Sequence, residues 1–242
     1  MSTLWKVERE WDGQTVAVLA SGPSMTYEVA RKVSASGIRS IAVNNQGIDC
    51  TDAKGQFWKA MSPDADILFA ADRIWWKNNY EAAENFKGRL VTVAGTNGDL
   101  IPFVERTLVL GNSGVNGFDH RKDYIRTGRN SGYAAVHLAA HLGAKRILLC
   151  GFDMHDNCGQ HWFNDHAFRK GHHSRFEFFI GHFNSVAHEY VMRNIEVINC
   201  TKDSALKCFV YMPLEEALHH AVFSMRKSSA YNTEQKNSTE VA

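Results

Sequence analysis

The sequence carries almost no excess charge. Its 27 Lys and Arg against 26 Asp and Glu leave a formal +1 over 242 residues, so it has no global basic field of the kind that proteins gripping nucleic acid backbones display. No run approaches the roughly 20 apolar residues that span a bilayer. The opening stretch MSTLWKVEREWDG has charges where a secretion signal needs an apolar core. The five cysteines, Cys50, Cys150, Cys158, Cys200 and Cys208, are odd in number and none stands in C-x-x-C spacing. That excludes a zinc ribbon or thioredoxin-like motif and fits a reducing compartment. The expectation is a cytoplasmic protein without a membrane span. Also absent are the G-x-G-x-x-G of nicotinamide-binding folds, the G-x-x-x-x-G-K-[ST] of P-loop kinases and the H-E-x-x-H of zinc hydrolases.

What is present is alternation. Short β-branched or apolar runs predict strands at Thr15–Ala20, Ser40–Asn44, Ile67–Ala71, Leu90–Ala94, Arg146–Cys150 and Ile195–Asn199, with a minor strand at Thr107–Leu110. Helical patterns lie between them. The clearest is SGYAAVHLAAHLG, where Ala134, Ala135, Leu138, Ala139 and Leu142 share a face, Ser131 stands at the N-cap and Gly143 where a left-handed residue is wanted. The pattern implies an α/β, Rossmann-like fold, a mostly parallel sheet with helices on both faces. Residues 1–223 read as one domain with a His-rich insertion at about 153–182, and 224–242 as a disordered tail too polar to pack. Trp75, Trp76 and the apolar residues from Phe176 to Ile180 fit either a core or an interface between copies of the chain.

In such a sheet, ligands settle beyond the carboxyl ends of the strands, so the residues that follow each strand draw attention. These are Ser21, Gly22, Pro23 and Ser24 after the first, Asn44 and Asn45 after the second, Asp72 and Arg73 after the third, and Gly151, Phe152, Asp153 and His155 after Arg146–Cys150. Gly22 lets backbone amides approach an anion, and a helix opening near Ser24 would aim free N–H groups at the same place, which favours a phosphate. A plain strand-to-helix turn with an N-cap serine fits the same residues. The second strand ends in Asn44 rather than the acid that bonds a nicotinamide ribose. Asn44 and Asn45 offer amides suited to a base edge or a sugar hydroxyl, and serve equally as turn residues.

Seven of the twelve histidines fall between His155 and His188. Cys158, His161, His166 and His182 are conceivable metal ligands, but their spacing matches no familiar site. Imidazoles beside a phosphate can also give or take protons and neutralise charge as it departs. His172 and His173, among Arg169, Lys170 and Arg175, form a basic stretch that either covers an anionic ligand or is simply solvated.

Taken in order, ASGPS, VNNQ, NSGYAAVHLAAHLGAKRILLCGFDMH and FIGHFNS resemble the small bacterial sialyltransferases that use CMP-sialic acid, over about Val16 to Val197. The signatures GFDM, HW, NCT with SAL, and PLEEAL are similar to the norphogenetic-type proteins of tailed bacteriophages across nearly the whole chain. A looser likeness reaches archaeal hydroxymethylpterin pyrophosphokinases. The sialyltransferase resemblance implies a nucleotide-sugar donor, a CMP-sugar, and a hydroxyl-bearing acceptor, with no metal or other cofactor required. It places Ser21 where that family has an asparagine, Asn44 on its second-strand asparagine, and Asn130 and Ser131 on a Thr-Ser that touches the nucleotide. Gly132, Phe152 and Asp153 complete the nucleotide site, and His182 falls on the general base. His155 and His161 stand where the family has two tyrosines that bond the departing phosphate, which leaves donor specificity open. The other implied reaction, pyrophosphoryl transfer from ATP, would need Mg²⁺ held by carboxylates, with Asp72, Asp153 and Asp156 as candidates. A nucleotide-binding protein without chemistry is a third class.

Overall fold

The structure, a computed structural model, describes residues 4–95, 105–163, 166 and 175–219. The expected tail and the stretch containing Arg169, Lys170, His172 and His173 lie outside the described residues. The first half runs β1 (Thr15–Leu19), α1 (Tyr27–Ser36), β2 (Arg39–Val43), a 3₁₀ turn (Asn44–Gln46), β3 (Cys50–Thr51), β4 (Phe57–Trp58), β5 (Ile67–Phe69), α2 (Arg73–Glu84) and β6 (Arg89–Val93). The second half runs β7 (Leu108–Asn112), β8 (Tyr124–Ile125), α3 (Ser131–His141), β9 (Arg146–Cys150), α4 (Phe176–Met192), β10 (Glu196–Asn199) and β11 (Val210–Tyr211). Residues 214–219 are also helical.

Nine strands form one sheet in the order β11-β10-β9-β1-β2-β5-β6-β7-β8, and every pairing in it is parallel. β3 and β4 form a separate antiparallel hairpin. The chain lays strands outward from β1 in one direction, then returns to place β9 on its other side, so the strand order reverses between β1 and β9. That reversal opens a crevice beyond the carboxyl ends of the strands.

Both faces are covered, as the unbroken apolar runs require. Alternate residues of each strand serve opposite layers. Val16 and Val18 pack with α3 and α4, whereas Ala17 and Leu19 pack with α1 and the helical residues near the end of the described chain. Register carries the alternation across the sheet. Leu19 stands opposite Ala42, which with Leu68 and Leu90 meets Trp75 and Trp76 of α2. Both tryptophans are almost wholly buried, so they belong to the core and not to an interface.

α3 closes as its sequence predicts. Gly143, with φ +99°, donates to Ala140, and Ala144 donates to Ala139, the paired bonds of a Schellman motif. Its start differs by one residue. Asn130 is the N-cap, accepting from Tyr133 N–H at 3.0 Å, and Ser131 is the first helical residue. The left-handed pair Gly128 and Arg129 turns the chain so that Asn130 is the last extended residue. α1 likewise opens at Tyr27 with Thr26 as cap, three residues beyond the expected start near Ser24.

One buried group makes the fold acid-sensitive. His137 is fully buried in α3, its Nδ1 accepting from Arg126 N–H at 3.4 Å while Nε2 lies 3.2 Å from the Asp119 carbonyl oxygen. Both nitrogens therefore have backbone partners, Nε2 also facing the Asp119 N–H at 3.2 Å. Burial, together with neighbouring His141, pushes the pKa of His137 down to about 3; His141 is lowered as well. The unfolded chain therefore binds these protons first. Stability should be complete above about pH 6.5 and should fall below it by up to about 1.4 kcal/mol per pH unit for His137. Urea denaturation of the protein at pH 7 and pH 5 should show that loss, and His137→Gln should flatten the slope from a lower starting value. An equally steep slope in the variant would assign the sensitivity elsewhere.

Candidate functional site

The exits of β1 and β9 are joined before any ligand arrives. Ala20 N–H donates to Cys150 O at 2.8 Å, Gly22 N–H to Gly151 O at 3.0 Å and Met25 N–H to Gly22 O at 3.0 Å. Ser24 N–H and its hydroxyl donate to the two carboxylate oxygens of Asp153, at 3.1 and 2.8 Å. Asp153 is 5% exposed, and burial raises its pKa while the two bonds from Ser24 pull it down. The amides of Gly22, Ser24 and Met25 are thus already committed to Gly151, Asp153 and Gly22 within the protein. Gly22 is required for a different reason from the one its sequence suggests. A Cβ there would stand 2.1 Å from Asp153 Oδ2 and 2.4 Å from the Gly151 carbonyl oxygen. The turn is a joint between strands.

A two-armed cleft opens beside that joint. The narrower arm, about 100 Å³, is lined by Ser21, Gly22, Asn44, Asn130, Ser131, Gly132, Phe152, Asp153, His155 and His161, among others. The wider arm, about 420 Å³, adds Asp72, Arg73, Asn112, Thr127, Arg129 and His166. Asn44, Asn130, Ser131, Gln160, His161 and Phe179 border both arms. The structure therefore gathers ten of the nucleotide-binding and catalytic candidates into the narrow arm, and Asp72 into the wide one. Pro23, Ser24, Asn45 and His182 are not on the lining. Ser24 holds Asp153, and Asn45 is a buried amide whose Oδ1 accepts from the Trp75 indole.

Each lining group is set by its element. Asn44 has a left-handed backbone, φ +54°, and its buried Oδ1 has no hydrogen-bond partner. An unsatisfied buried amide oxygen beside a cavity is a ready acceptor for a ligand N–H or O–H. Ser131 Oγ accepts from Ala71 N–H at 3.2 Å, which ties α3 to the exit of β5. Asp72 caps α2, accepting from Ile74 N–H at 2.8 Å. His161 stacks on Phe163, centroids 4.9 Å apart and planes 8° apart, with the His166 ring edge-on at 4.9 Å. The segment bearing them is moored by Trp162, whose backbone N–H donates to Ser21 O at 3.1 Å and whose ring meets Trp58 of the small hairpin.

His182 sits on α4 one turn beyond Phe179, and is 7% exposed. Its Nδ1 bonds the Asn116 side-chain oxygen, its Nε2 is buried without a partner, and Phe178 packs edge-on at 4.4 Å. Burial first, then the nearby Arg129 charge, holds its pKa below the ordinary value, which keeps the ring neutral near pH 7. Among the described residues no three of His, Cys, Asp or Glu form a group suited to a metal ion. Two of the three carboxylates considered for Mg²⁺, Asp72 and Asp153, are engaged in capping α2 and holding Ser24.

Arg73 follows a predicted strand and so is legible, whereas sequence alone does not point to Arg129, Asn112, Thr127 or Gln160 as cleft residues. The one available signal is TGRN, a glycine and an arginine immediately ahead of the clearest helix, where a left-handed turn can aim a cation across the sheet exit.

No family model and no curated protein sequence matches the chain. Among solved structures it is similar to the sialyltransferase CstII from Campylobacter jejuni in complex with a substrate analogue, cytidine-5'-monophosphate, at 13% identity and a TM-score of 0.48, covering 84% of this chain and 86% of that one. No helix of the described residues is long and apolar enough to cross a membrane.

Gly22→Ala should lower stability by about 1–3 kcal/mol, the cost of overpacking a tight contact, because the new methyl meets both a backbone oxygen and Asp153. Asp153→Asn, which keeps an acceptor for Ser24, should cost less. Urea midpoints at unchanged slope read both; a Gly22→Ala midpoint equal to that of the parent would show that the joint yields freely.

Proposed function

We propose that the chain is a nucleotide-sugar-dependent glycosyltransferase that takes a CMP-activated sugar as donor and a hydroxyl as acceptor. One observation carries this: Asn44, Asn130, Ser131 and the imidazoles of His155 and His161 converge on one cleft at the point where the strand order reverses. The sequence resemblance to sialyltransferases names the same residues.

In this proposal the narrow arm takes the nucleoside, with the Asn44 amide and the first turn of α3 reading its base and ribose. His161 at the junction of the arms and His155 in the narrow arm face the phosphate, and the wide arm, with Arg73 and Arg129, receives the sugar and the acceptor. As the acceptor oxygen bonds the anomeric carbon, its proton passes to His182 Nε2. The anomeric carbon–phosphate oxygen bond breaks, and its electron pair leaves on the nucleotide phosphate, where ring N–H donors of His155 and His161 meet the new charge. Because His182 Nε2 is buried and off the cleft lining, this step requires Phe178 and Arg129, both exposed side chains, to move aside. A positioned general base contributes about 10²- to 10⁴-fold.

Thermal melting with CMP, CDP, UDP, GDP, ATP and NAD tests the binding half. Cytidine nucleotides should raise the melting temperature most, since a ligand at about 100 times its Kd stabilises by roughly 2.7 kcal/mol. His182→Ala should keep that shift and lose about 10²-fold or more in donor turnover. Full turnover in the variant removes His182 as base. Tight nucleotide binding with no turnover of any sugar donor would mark a binding protein, and chelator-sensitive stabilisation by ATP alone would favour pyrophosphoryl transfer.

A further inference from the structure

We infer that Asn116 is a positioning residue for His182: its side-chain carbonyl holds the imidazole in the Nδ1–H tautomer and so leaves the Nε2 lone pair for chemistry. The inference rests on the proposed role of His182 for its catalytic meaning, but the tautomer is a property of the folded chain by itself.

Asn116 stands in the connection between β7 and β8, and the backbone on both sides of it is anchored to the start of α3. The carbonyl of Val115 accepts from Gly128 N–H at 3.0 Å, and the carbonyl of Gly117 accepts from the Tyr133 hydroxyl at 2.8 Å. An exposed residue is thereby held between two fixed points. Its Oδ1 bonds His182 Nδ1, 66 residues away in sequence. The ring is held on another side by Phe178, one turn earlier on α4. Those contacts leave a single unbonded ring nitrogen, the buried Nε2.

Which ring nitrogen carries the proton is set by the bond that the other one makes. With an acceptor fixed at Nδ1, the neutral ring places its hydrogen there, and Nε2 becomes the nitrogen able to take a proton. An asparagine does this without charge. A carboxylate in its place would stabilise the imidazolium, and the charged group facing the ring from the turn ahead of α3 is Arg129, which works in the opposite direction. The pair therefore orients the ring while leaving it neutral, as suits a base that must be unprotonated before each turnover.

Long-range nitrogen–proton correlation spectra of the full chain with ¹⁵N-labelled histidine test this, the His182 signal being identified by its loss in His182→Gln. The parent should show the Nδ1–H pattern at pH 7.5 and Asn116→Ala the Nε2–H pattern. Asn116→Asp should keep Nδ1–H and raise the titration midpoint of His182 by about one unit or more. A parent with Nε2–H, or a tautomer unmoved in Asn116→Ala, overturns the inference. In turnover, Asn116→Ala should lower kcat by about 10²-fold, the lower end of a positioned base, with donor KM and the nucleotide melting shift unchanged. If the parent turns over no donor, the transferase proposal fails, while the spectra still decide the role of Asn116.

Discussion

Everything at the carboxyl edge depends on the contact between Ser24 and Asp153. Where the strand order reverses, the ladder of β1 and β9 spaces the two strands as far as Leu19 and Cys150, and beyond it the turns themselves must hold the exits together. Here the Gly22 and Gly151 backbones touch, and a buried carboxylate receives both the amide and the hydroxyl of Ser24. A carboxylate accepting two hydrogen bonds in a desolvated place is costly to break, because neither the charge nor the donors have water to fall back on. The contact therefore behaves as a hinge pin. It sets the width of the narrow arm and fixes Phe152, Asp153 and His155 against Ser21 and Gly22.

The cleft is polar in a selective way. Hydrogen-bonding groups that build the scaffold are satisfied within it: Asn130 caps α3, Asp72 caps α2, Ser131 binds the exit of β5 and Asn45 serves a core tryptophan. The Asn44 oxygen and the His155 Nδ1 atom are buried without partners, and His182 Nε2, off the lining, shares that state. Two arginines and three imidazoles border the cavity, against two carboxylates that are both engaged. Such a balance suits an anionic ligand with a hydrogen-bonding base, held by groups that are already in place before it arrives.

Much of the sheet was legible in the sequence because buried parallel strands are short apolar runs and cannot be much else. Arg146–Cys150 has the expected bounds, and the other strands of the main run shift by one or two residues. The hairpin of β3 and β4, and the edge strands β8 and β11, are two residues each, too short to carry a period. The candidate site was legible in part. Residues that directly follow strands could be found from the strands themselves, which is why Ser21, Asn44, Phe152 and Asp153 lie on the cleft. The work of the Ser21–Ser24 turn was not legible, since a glycine that admits a phosphate and a glycine that admits Asp153 look alike in one dimension. Nor was the placing of Arg129 and Gln160, which come from loops whose course is set by contacts distant in sequence.

The hinge pin joins residues 129 positions apart, and β1 shares its ladder with β9 as well as with β2. Loop-closure entropy delays contacts so remote, whereas β1, β2, β5 and β6 can meet their neighbours as the chain emerges. During synthesis the amino-terminal strand must wait with one edge unpaired until residue 150 has left the ribosome. The narrow arm of the cleft is thus among the last parts of the molecule to exist, and a chain cut short before β9 leaves β1 as an unpaired apolar edge.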